Sequence, residues 1–193
     1  MNKHEARSAA TRAELIMLGI ERIPIRGYAA TSIRDIVAGS GQTKGAFEYH
    51  FPSKAEFFMT LVEALTGAPG TWAALARANP AETLEGAVER IIAASGAAQG
   101  WGRWILATGD FARTDGTAPE YRARLDRLYG YWLGEIAAWV SVLSEQGLVR
   151  TDLAVELLAE MAFGTIEGHI VHAAIYGRGA EVAARAVARV LSR

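Results

Sequence analysis

Apolar residues recur along most of the chain at intervals of three and four, which is the spacing of helices that bury one face. The first such stretch predicts a helix over residues 5–23, ended by Pro24 and Gly27. Its expected apolar stripe is Ala13, Ile16, Met17, Ile20 and Ile23. No segment has the features of a β-strand. We therefore expect an all-α protein.

Two short helices joined by a tight turn are predicted after this first helix. Thr31 or Ser32 can cap the first of them, and Asp35 is placed to complete a capping box from Ser32. The sequence over residues 39–41, Gly-Ser-Gly, permits a sharp reversal. Thr43 can cap the second helix at residues 44–50. A helix-turn-helix of this kind places its second helix in the major groove of DNA.

The remaining segments are predicted to be helical as well. Ser53 and Glu56 form a second capping box that opens a helix to about Leu65, and residues 67–70 are the candidate domain boundary. The next three helices are expected after Pro80 up to Gly96, over about 101–111, and from Pro119 to a left-handed cap at Gly147. The last two are expected from a cap at Thr151 or Asp152 to about Ala174 and, after a turn at residues 176–179, over 180–191.

The helix-turn-helix region carries a longer pattern of residue types in a fixed order: Gly27-Tyr28, Thr31-Ser32-Ile33, Ile36-Val37, the turn from Gly41 to Gly45, Phe47, and Tyr49-His50-Phe51-Pro52-Ser53-Lys54. Over roughly residues 5–66 this pattern resembles tetracycline-repressor (TetR) family regulators. The resemblance implies a helix-turn-helix DNA-binding domain at 1–52, a connecting helix at 53–66, and a ligand-binding and dimerisation domain at 67–193. It also implies a cytoplasmic homodimeric transcriptional repressor, released from a pseudopalindromic operator in double-stranded DNA by a small apolar or aromatic effector.

The DNA-binding residues expected from this resemblance are Thr31, Ser32, Gln42, Thr43, Lys44, Gly45, Ala46, Glu48, Tyr49, His50 and Lys54. Lys44 and Lys54, at the starts of their helices, are expected to contact phosphates. Gln42 and Glu48 depart from the family pattern. Glu48 has two open interpretations: it accepts a hydrogen bond from cytosine in the major groove, or it pairs with a cation such as Arg34 and orients that cation toward DNA.

Aromatic residues of the second half are the candidate effector site. They have two open interpretations, the walls of an apolar ligand cavity or an ordinary helical core. The predicted ligand residues are Trp101, Trp104, Phe111, Tyr129, Trp132, Phe163 and Glu167.

Small residues on the helix before the last one, including Gly164 and Gly168, indicate close approach of another helix. That helix belongs to a second copy, as the resemblance implies, or to the same chain. The predicted dimer interface is Leu158, Ala162, Thr165, His169, Val187 and Leu191. His169 and His172 lack a third ligand, so we expect no metal site.

Composition and charge favour some classes of function over others. The chain of 193 residues is 51% hydrophobic and 21% charged, with no cysteine, and no apolar run is long enough to span a membrane. Residues 1–54 carry eight Lys/Arg and five acids, which places positive charge where DNA would bind. No catalytic set and no cofactor motif is found, and Asp110, Asp115 and Glu120 are expected in a solvated loop. The competing class is a helical ligand carrier or enzyme that keeps the helix-turn-helix only as scaffold.

Overall fold

The computed structural model describes residues 3–65, 70–94, 100–177 and 180–192, and all regular structure in these ranges is helical. The all-α prediction is confirmed. The helices are α1 (Lys3–Arg26), α2 (Ile33–Val37), α3 (Lys44–His50), α4 (Lys54–Ala64), α5 (Thr71–Ala78), α6 (Leu84–Ala94), α7 (Trp101–Arg113), α8 (Pro119–Glu145), α9 (Val155–Tyr176) and α10 (Ala180–Leu191), with a 3₁₀ turn at Asp115–Thr117.

The sequence predicted that helix α1 ends at residue 23, before Pro24. In the structure the helix continues past Pro24 to Arg26. A proline lacks the N–H that would bond four residues back, and inside a helix this is normally disruptive. Here it lies in the last turn, and the Gly27 N–H still donates to the Ile23 carbonyl at 2.8 Å. Gly27 then ends the helix with a φ of 87°.

The buried face of α1 is Leu15, Gly19 and Ile23, so the predicted apolar stripe is wrong in part. Met17 is 64% exposed. The face is set by α4, which packs so closely that a Cβ on Gly19 would lie 2.5 Å from the Phe57 ring. A glycine does not register in an apolar pattern, and for this reason the predicted stripe is displaced from the buried face although Ile23 belongs to both.

Two compact units divide the chain, and each has its own core. The first comprises Met1–Thr66 and Leu106–Leu125, and the second Gly67–Ile105 and Asp126–Arg193. The segment Leu106–Leu125, which holds the end of α7 and the beginning of α8, therefore groups with the helix-turn-helix. The predicted division into 1–52, 53–66 and 67–193 is a division by function and stays a prediction.

Aromatic side chains form most of the core of the first unit. Phe47 of α3 lies 4.8 Å from Phe57 of α4 between ring centroids, and Phe51 packs on both. A second cluster joins Tyr28 to Phe58 at 4.9 Å and to Phe111 at 5.0 Å. These rings anchor α3 and α4 to the rest of the unit.

The second unit packs α5, α6, α8, α9 and α10 around fully buried Trp139 and Leu158. Helix α10 contacts both α9 and α6. Helix α5 was not predicted, because eight Ala-rich residues give little periodicity. Helix α9 begins at Val155 after Ala154, which has no side-chain cap, so the predicted caps at Thr151 and Asp152 are wrong.

Asp152 instead pairs with Arg150 at 2.6 Å, and Gly147 adopts the predicted left-handed conformation with a φ of 74°. Predicted features at residues 67–69, at Gly96 and at residues 178–179 lie outside the described residues. Within the described residues, no helix is long and apolar enough to cross a membrane.

Candidate DNA-binding and effector sites

Side-chain caps define the two short helices, as the sequence predicted. The Ser32 Oγ accepts from the Asp35 N–H at 3.2 Å while an Asp35 carboxylate oxygen accepts from the Ser32 N–H at 2.9 Å, a complete capping box. The Thr43 Oγ1 accepts from the Ala46 N–H at 3.0 Å and caps α3. At the Ser53 cap only half of the predicted box forms, because the Glu56 carboxylate binds Arg124 instead.

The turn between α2 and α3 depends on backbone conformations that favour glycine. Gly39 and Gly41 have φ angles of 70° and 79°, the left-handed region in which a Cβ is strained. The Ser40 Oγ donates to the Val37 carbonyl at 2.8 Å and accepts from the Gln42 N–H at 3.2 Å. The turn is therefore held by local bonds on both sides.

Arg22 of α1 secures the end of α2 and was missed by the sequence reasoning. Its Nη1 donates to the carbonyls of Asp35, Ile36 and Ala38 at 3.0, 2.7 and 2.7 Å. A cation at a helix C-terminus satisfies carbonyls that have no partner within the helix. No spacing rule connects an arginine with carbonyls 13 to 16 positions later, so no sequence signal could have found it.

The outward face of α3 is the candidate DNA-reading surface. Lys44, Gly45, Glu48 and Tyr49 are exposed, Tyr49 to 79%, while Phe47 on the opposite side is fully buried. Ala46 and His50 are half-buried, and the His50 ring lies 4.9 Å from that of Tyr49. The amide of Gln42, at the start of this surface, donates to Glu14 of α1 at 2.6 Å.

Two of the predicted DNA contacts have roles within the fold. Thr31 is buried, and its Oγ1 donates to the Gly27 carbonyl at 2.7 Å. Ser32 is exposed but its hydroxyl belongs to the capping box. Their contribution to DNA binding stays a prediction.

The charged residues of this surface have different partners from those expected. Glu48 pairs with Lys44 at 3.0 Å on α3 itself, so the suggested pairing with Arg34 is wrong. The pair of Glu48 with Lys44 is favoured over one with Arg34, because side chains four residues apart on one helix are already neighbours. The Lys54 ammonium donates to the carbonyls of Tyr28 and Thr31 at 3.1 and 3.3 Å and lies 4.2 Å from the centre of the Tyr28 ring.

Two of the three carboxylates predicted to lie in a solvated loop are structural in the first unit, and the third, Glu120, is exposed. Asp110 of α7 accepts from the Ala29 N–H at 2.6 Å, and Asp115 accepts from the Tyr28 hydroxyl. Burial and the bond to Asp115 raise the pKa of Tyr28. These bonds connect the segment Leu106–Leu125 with the loop before α2.

The structure brings some of the predicted effector residues together. In the second unit the Trp132 ring lies 5.7 Å from Trp101 and 6.1 Å from Trp72, a residue that was missed together with α5. Trp104 is buried in the same helix as Trp101. We call Trp72, Trp101 and Trp132 the tryptophan cluster.

Other predicted effector residues have different neighbours. Phe111 packs in the first unit against Tyr28 and Phe58, so the structure does not join it to the tryptophan cluster. Tyr129 stacks on Phe163 at 5.5 Å. Glu167, one turn after Phe163 on α9, is partly buried, and desolvation raises the pKa of its carboxyl.

Most of the predicted dimer residues are already buried within the chain. Leu158, Ala162, Val187 and Leu191 belong to the core of the second unit, so their side chains have no free surface for a second copy. Thr165 and His169 are half-buried, and the His169 ring bonds to the Thr165 carbonyl at 2.8 Å. The dimer interface itself stays a prediction.

Helix α9 nevertheless has an open apolar face. A Cβ on Gly164 or Gly168 would meet nothing within 4 Å in the described structure. Leu157 and Ile175 lie seven residues before Gly164 and seven after Gly168, and are 45% and 52% exposed. Spacings of seven and four place these residues on one side of the helix, which we call the α9 face.

This fold and this capped helix-turn-helix define a DNA-binding transcriptional regulator of the helix-turn-helix type. The family described as "Bacterial regulatory proteins, tetR family" matches residues 25–61. The HTH-type transcriptional repressor KstR2 of Mycobacterium tuberculosis is 31% identical over 156 residues, 76% of this chain and 73% of that protein. The chain belongs to the tetR family.

Two further comparisons cover different shares of this chain. The uncharacterized HTH-type transcriptional regulator YwcC of Bacillus subtilis is 37% identical over 62 residues, 32% of this chain and 28% of that protein. The crystal structure of FadR from Bacillus subtilis, in complex with stearoyl-CoA, has a TM-score of 0.69 and 16% identity, and covers 93% of this chain and 97% of that one. At this identity the likeness shows the fold alone.

Proposed function

We propose that this regulator is a homodimeric repressor of transcription that a small apolar or aromatic effector releases from a pseudopalindromic operator. The main observation that supports this proposal is the exposed face of α3. Phe47 holds this helix to the core while Lys44, Gly45, Glu48 and Tyr49 face outward. A short helix with a rigid base and a polar outer surface fits the major groove, which admits one α-helix.

The α9 face supports the homodimer. Exposed Leu157 and Ile175 with two open glycines between them form a continuous apolar strip that another helix can approach closely. A twofold arrangement would pair this strip with itself. It would also set two copies of α3 at a fixed spacing, which must match successive major grooves about 34–36 Å apart.

An apolar effector is supported by the tryptophan cluster and by a structural neighbour. The rings of Trp101, Trp132 and Trp72 offer aromatic surface in the second unit, and FadR, which has this fold, was crystallised with stearoyl-CoA. We infer that the effector of this chain has a large apolar part.

In this proposal, effector binding acts on the DNA-binding helices through α4 and through the pair α7 and α8. Helix α4 begins at the DNA-binding helices, and α7 and α8 each contribute residues to both units. In the first unit Arg124 of α8 binds Glu56 and Glu63 of α4 at 2.7 and 2.8 Å. A shift of α8 would therefore move α4, and effector binding would change the operator-competent population.

Binding to DNA from upstream of the chain's own gene tests the proposal. Fluorescence anisotropy at physiological salt should show affinity at least about 10³ above that for unrelated DNA. Tyr49→Ala should weaken specific binding, and Met17→Ala, which also removes an exposed side chain, should not. A carrier or enzyme with a vestigial helix-turn-helix would show the same weak affinity for both DNAs.

A further inference from the structure

The loop between α1 and α2, residues 27–31, is held by two carboxylates from the end of α7. The Tyr28 hydroxyl donates to the Asp115 carboxylate, and the Ala29 N–H donates to the Asp110 carboxylate at 2.6 Å. Tyr28 is only 1% exposed, so its hydroxyl needs a partner within the protein. All of these residues belong to the first unit. We call these two bonds the loop clamp.

Both carboxylates of the loop clamp are fixed to α7. The second oxygen of Asp110 accepts from the Arg113 guanidinium at 2.7 Å, which orients this carboxylate. Asp115 begins a 3₁₀ turn that packs very closely on α7. A Cβ on Gly116 in this turn would lie 2.9 Å from the Phe111 carbonyl oxygen, too close for any side chain. A shift of the end of α7 therefore shifts both acceptors.

The loop leads directly into the helix-turn-helix. The Thr31 Oγ1 donates to the Gly27 carbonyl at 2.7 Å and closes the loop on itself. Ser32, the next residue, caps α2. A displacement of the loop therefore displaces the start of α2. Because local bonds hold the turn after α2 on both sides, α3 follows α2.

We propose that Asp110 and Asp115 are positioning residues for DNA binding, which act through Tyr28 and Ala29 without touching DNA. They fix the loop at residues 27–31, and with it the orientation in which α3 fits the operator. A change at the end of α7 then reaches the DNA-reading helix through this loop, by a route that does not pass through α4. This inference rests on operator binding under the proposed function and names the contacts through which α7 controls it.

Tyr28→Phe removes only the hydroxyl of the loop clamp. Without this bond the loop and α2 also visit positions in which α3 does not fit the operator. Apparent affinity falls by the fraction of molecules that remain competent to bind, and we expect a loss of about five- to tenfold. Affinity for unrelated DNA should hardly change, because non-specific binding depends on phosphate contacts alone.

A double-mutant cycle separates positioning from stability. Fluorescence anisotropy with DNA from upstream of the chain's own gene is measured well below the melting midpoint of every variant. Tyr28→Phe, Asp115→Ala and the double variant should lose the same factor, since all three lack one bond. Asp115→Asn keeps an acceptor oxygen and should retain the affinity of the unaltered protein.

Thr114→Val is the matched control. It removes a hydroxyl beside Asp115 that donates only to the Asp110 and Phe111 carbonyls of α7, and it leaves the loop clamp intact. We expect unchanged affinity for the operator even where the melting midpoint falls. A loop clamp that served stability alone would lower the melting midpoint of Tyr28→Phe and leave its operator affinity equal to that of Thr114→Val.

Amide hydrogen exchange in the free, full-length protein gives a readout that needs no DNA. The Asp35 and Ile36 amides are bonded at the start of α2, and their protection should fall about tenfold in Tyr28→Phe and in Asp115→Ala but not in Thr114→Val. Equal protection in all variants would overturn this inference, as would full operator affinity in Tyr28→Phe. An unaltered protein that does not distinguish upstream from unrelated DNA would instead refute the proposed function.

Discussion

Lys44 and Lys54 open consecutive helices, yet their ammonium groups have different surroundings. Lys44 is paired across one turn with Glu48, in a bond that is largely exposed. Lys54 is directed into the first unit, toward two carbonyls and the Tyr28 ring. A charge already committed to the fold is less available to a phosphate, so we expect the two residues to differ in their effect on DNA binding.

Lys44→Met and Lys54→Met separate these roles. Lys44→Met should lower the slope of log affinity against log salt by about one, because one phosphate contact is lost. Lys54→Met should leave the slope nearly unchanged and destabilise the protein by about 1–3 kcal/mol. Anisotropy over a salt series and denaturant unfolding measure the two effects. A lower slope for Lys54→Met would restore Lys54 as a phosphate contact.

Glu48 places a carboxylate on the DNA-reading helix, where it competes with phosphate for Lys44. An exposed pair of this kind is worth little, so Lys44 still contacts phosphate beside Glu48. Glu48→Gln removes the competing carboxylate and should raise affinity for all operator variants alike, with the salt slope nearly unchanged because the number of phosphate contacts stays the same. Affinity over a set of single-base operator variants measures this. Loss of discrimination at one symmetric pair of positions, about 1–3 kcal/mol, would show instead that Glu48 reads a base.

At the scale of the helix, two glycines of α7 have opposite surroundings. A Cβ on Gly102 would lie 2.6 Å from the Ile170 carbonyl oxygen of α9, whereas one on Gly109 would meet nothing within 4 Å. Gly102→Ala should therefore destabilise the protein by about 1–3 kcal/mol through overpacking. Gly109→Ala should stabilise it by up to about 1 kcal/mol through helix propensity. Denaturant midpoints compare them, and equal shifts would contradict this packing of α7 on α9.

The α9 face predicts the oligomeric state. Gly168→Glu places a charge in the strip between Leu157 and Ile175, so we expect dissociation to a monomer with little loss of stability, since the position is open within the chain. Light scattering after size exclusion measures the mass. Gly134→Glu on α8, equally exposed and open, is the matched control and should remain dimeric. A dimer that survives Gly168→Glu would place the interface elsewhere.

At the scale of the molecule, regulation requires the effector and the operator to oppose each other. If an apolar effector releases DNA, then operator DNA must weaken effector binding by the same factor, typically about 5- to 150-fold. Quenching of tryptophan fluorescence by an acyl-CoA series, with and without operator, measures both sides. An acyl-CoA that binds equally well in the presence and absence of operator would not be the effector.

The sequence by itself determined the helix-turn-helix, because that motif depends on local chemistry. Caps at Ser32, Thr43 and Ser53 and glycines in the turn act over three or four residues, a range that spacing rules cover. The same holds for the helical class and for the left-handed end at Gly147. Each of these features was predicted at the right position.

Only the tertiary structure decided which side of each helix faces inward and which charges pair. The close approach at Gly19 turned α1 away from its predicted stripe, and the burial of Leu158 and Val187 moved the candidate interface to the other side of α9. Arg22 reaches the end of α2, and Phe111 packs on Tyr28 in the loop before α2, across separations that no local pattern encodes. These choices depend on long-range contacts, whose energy is shared among residues far apart in the chain.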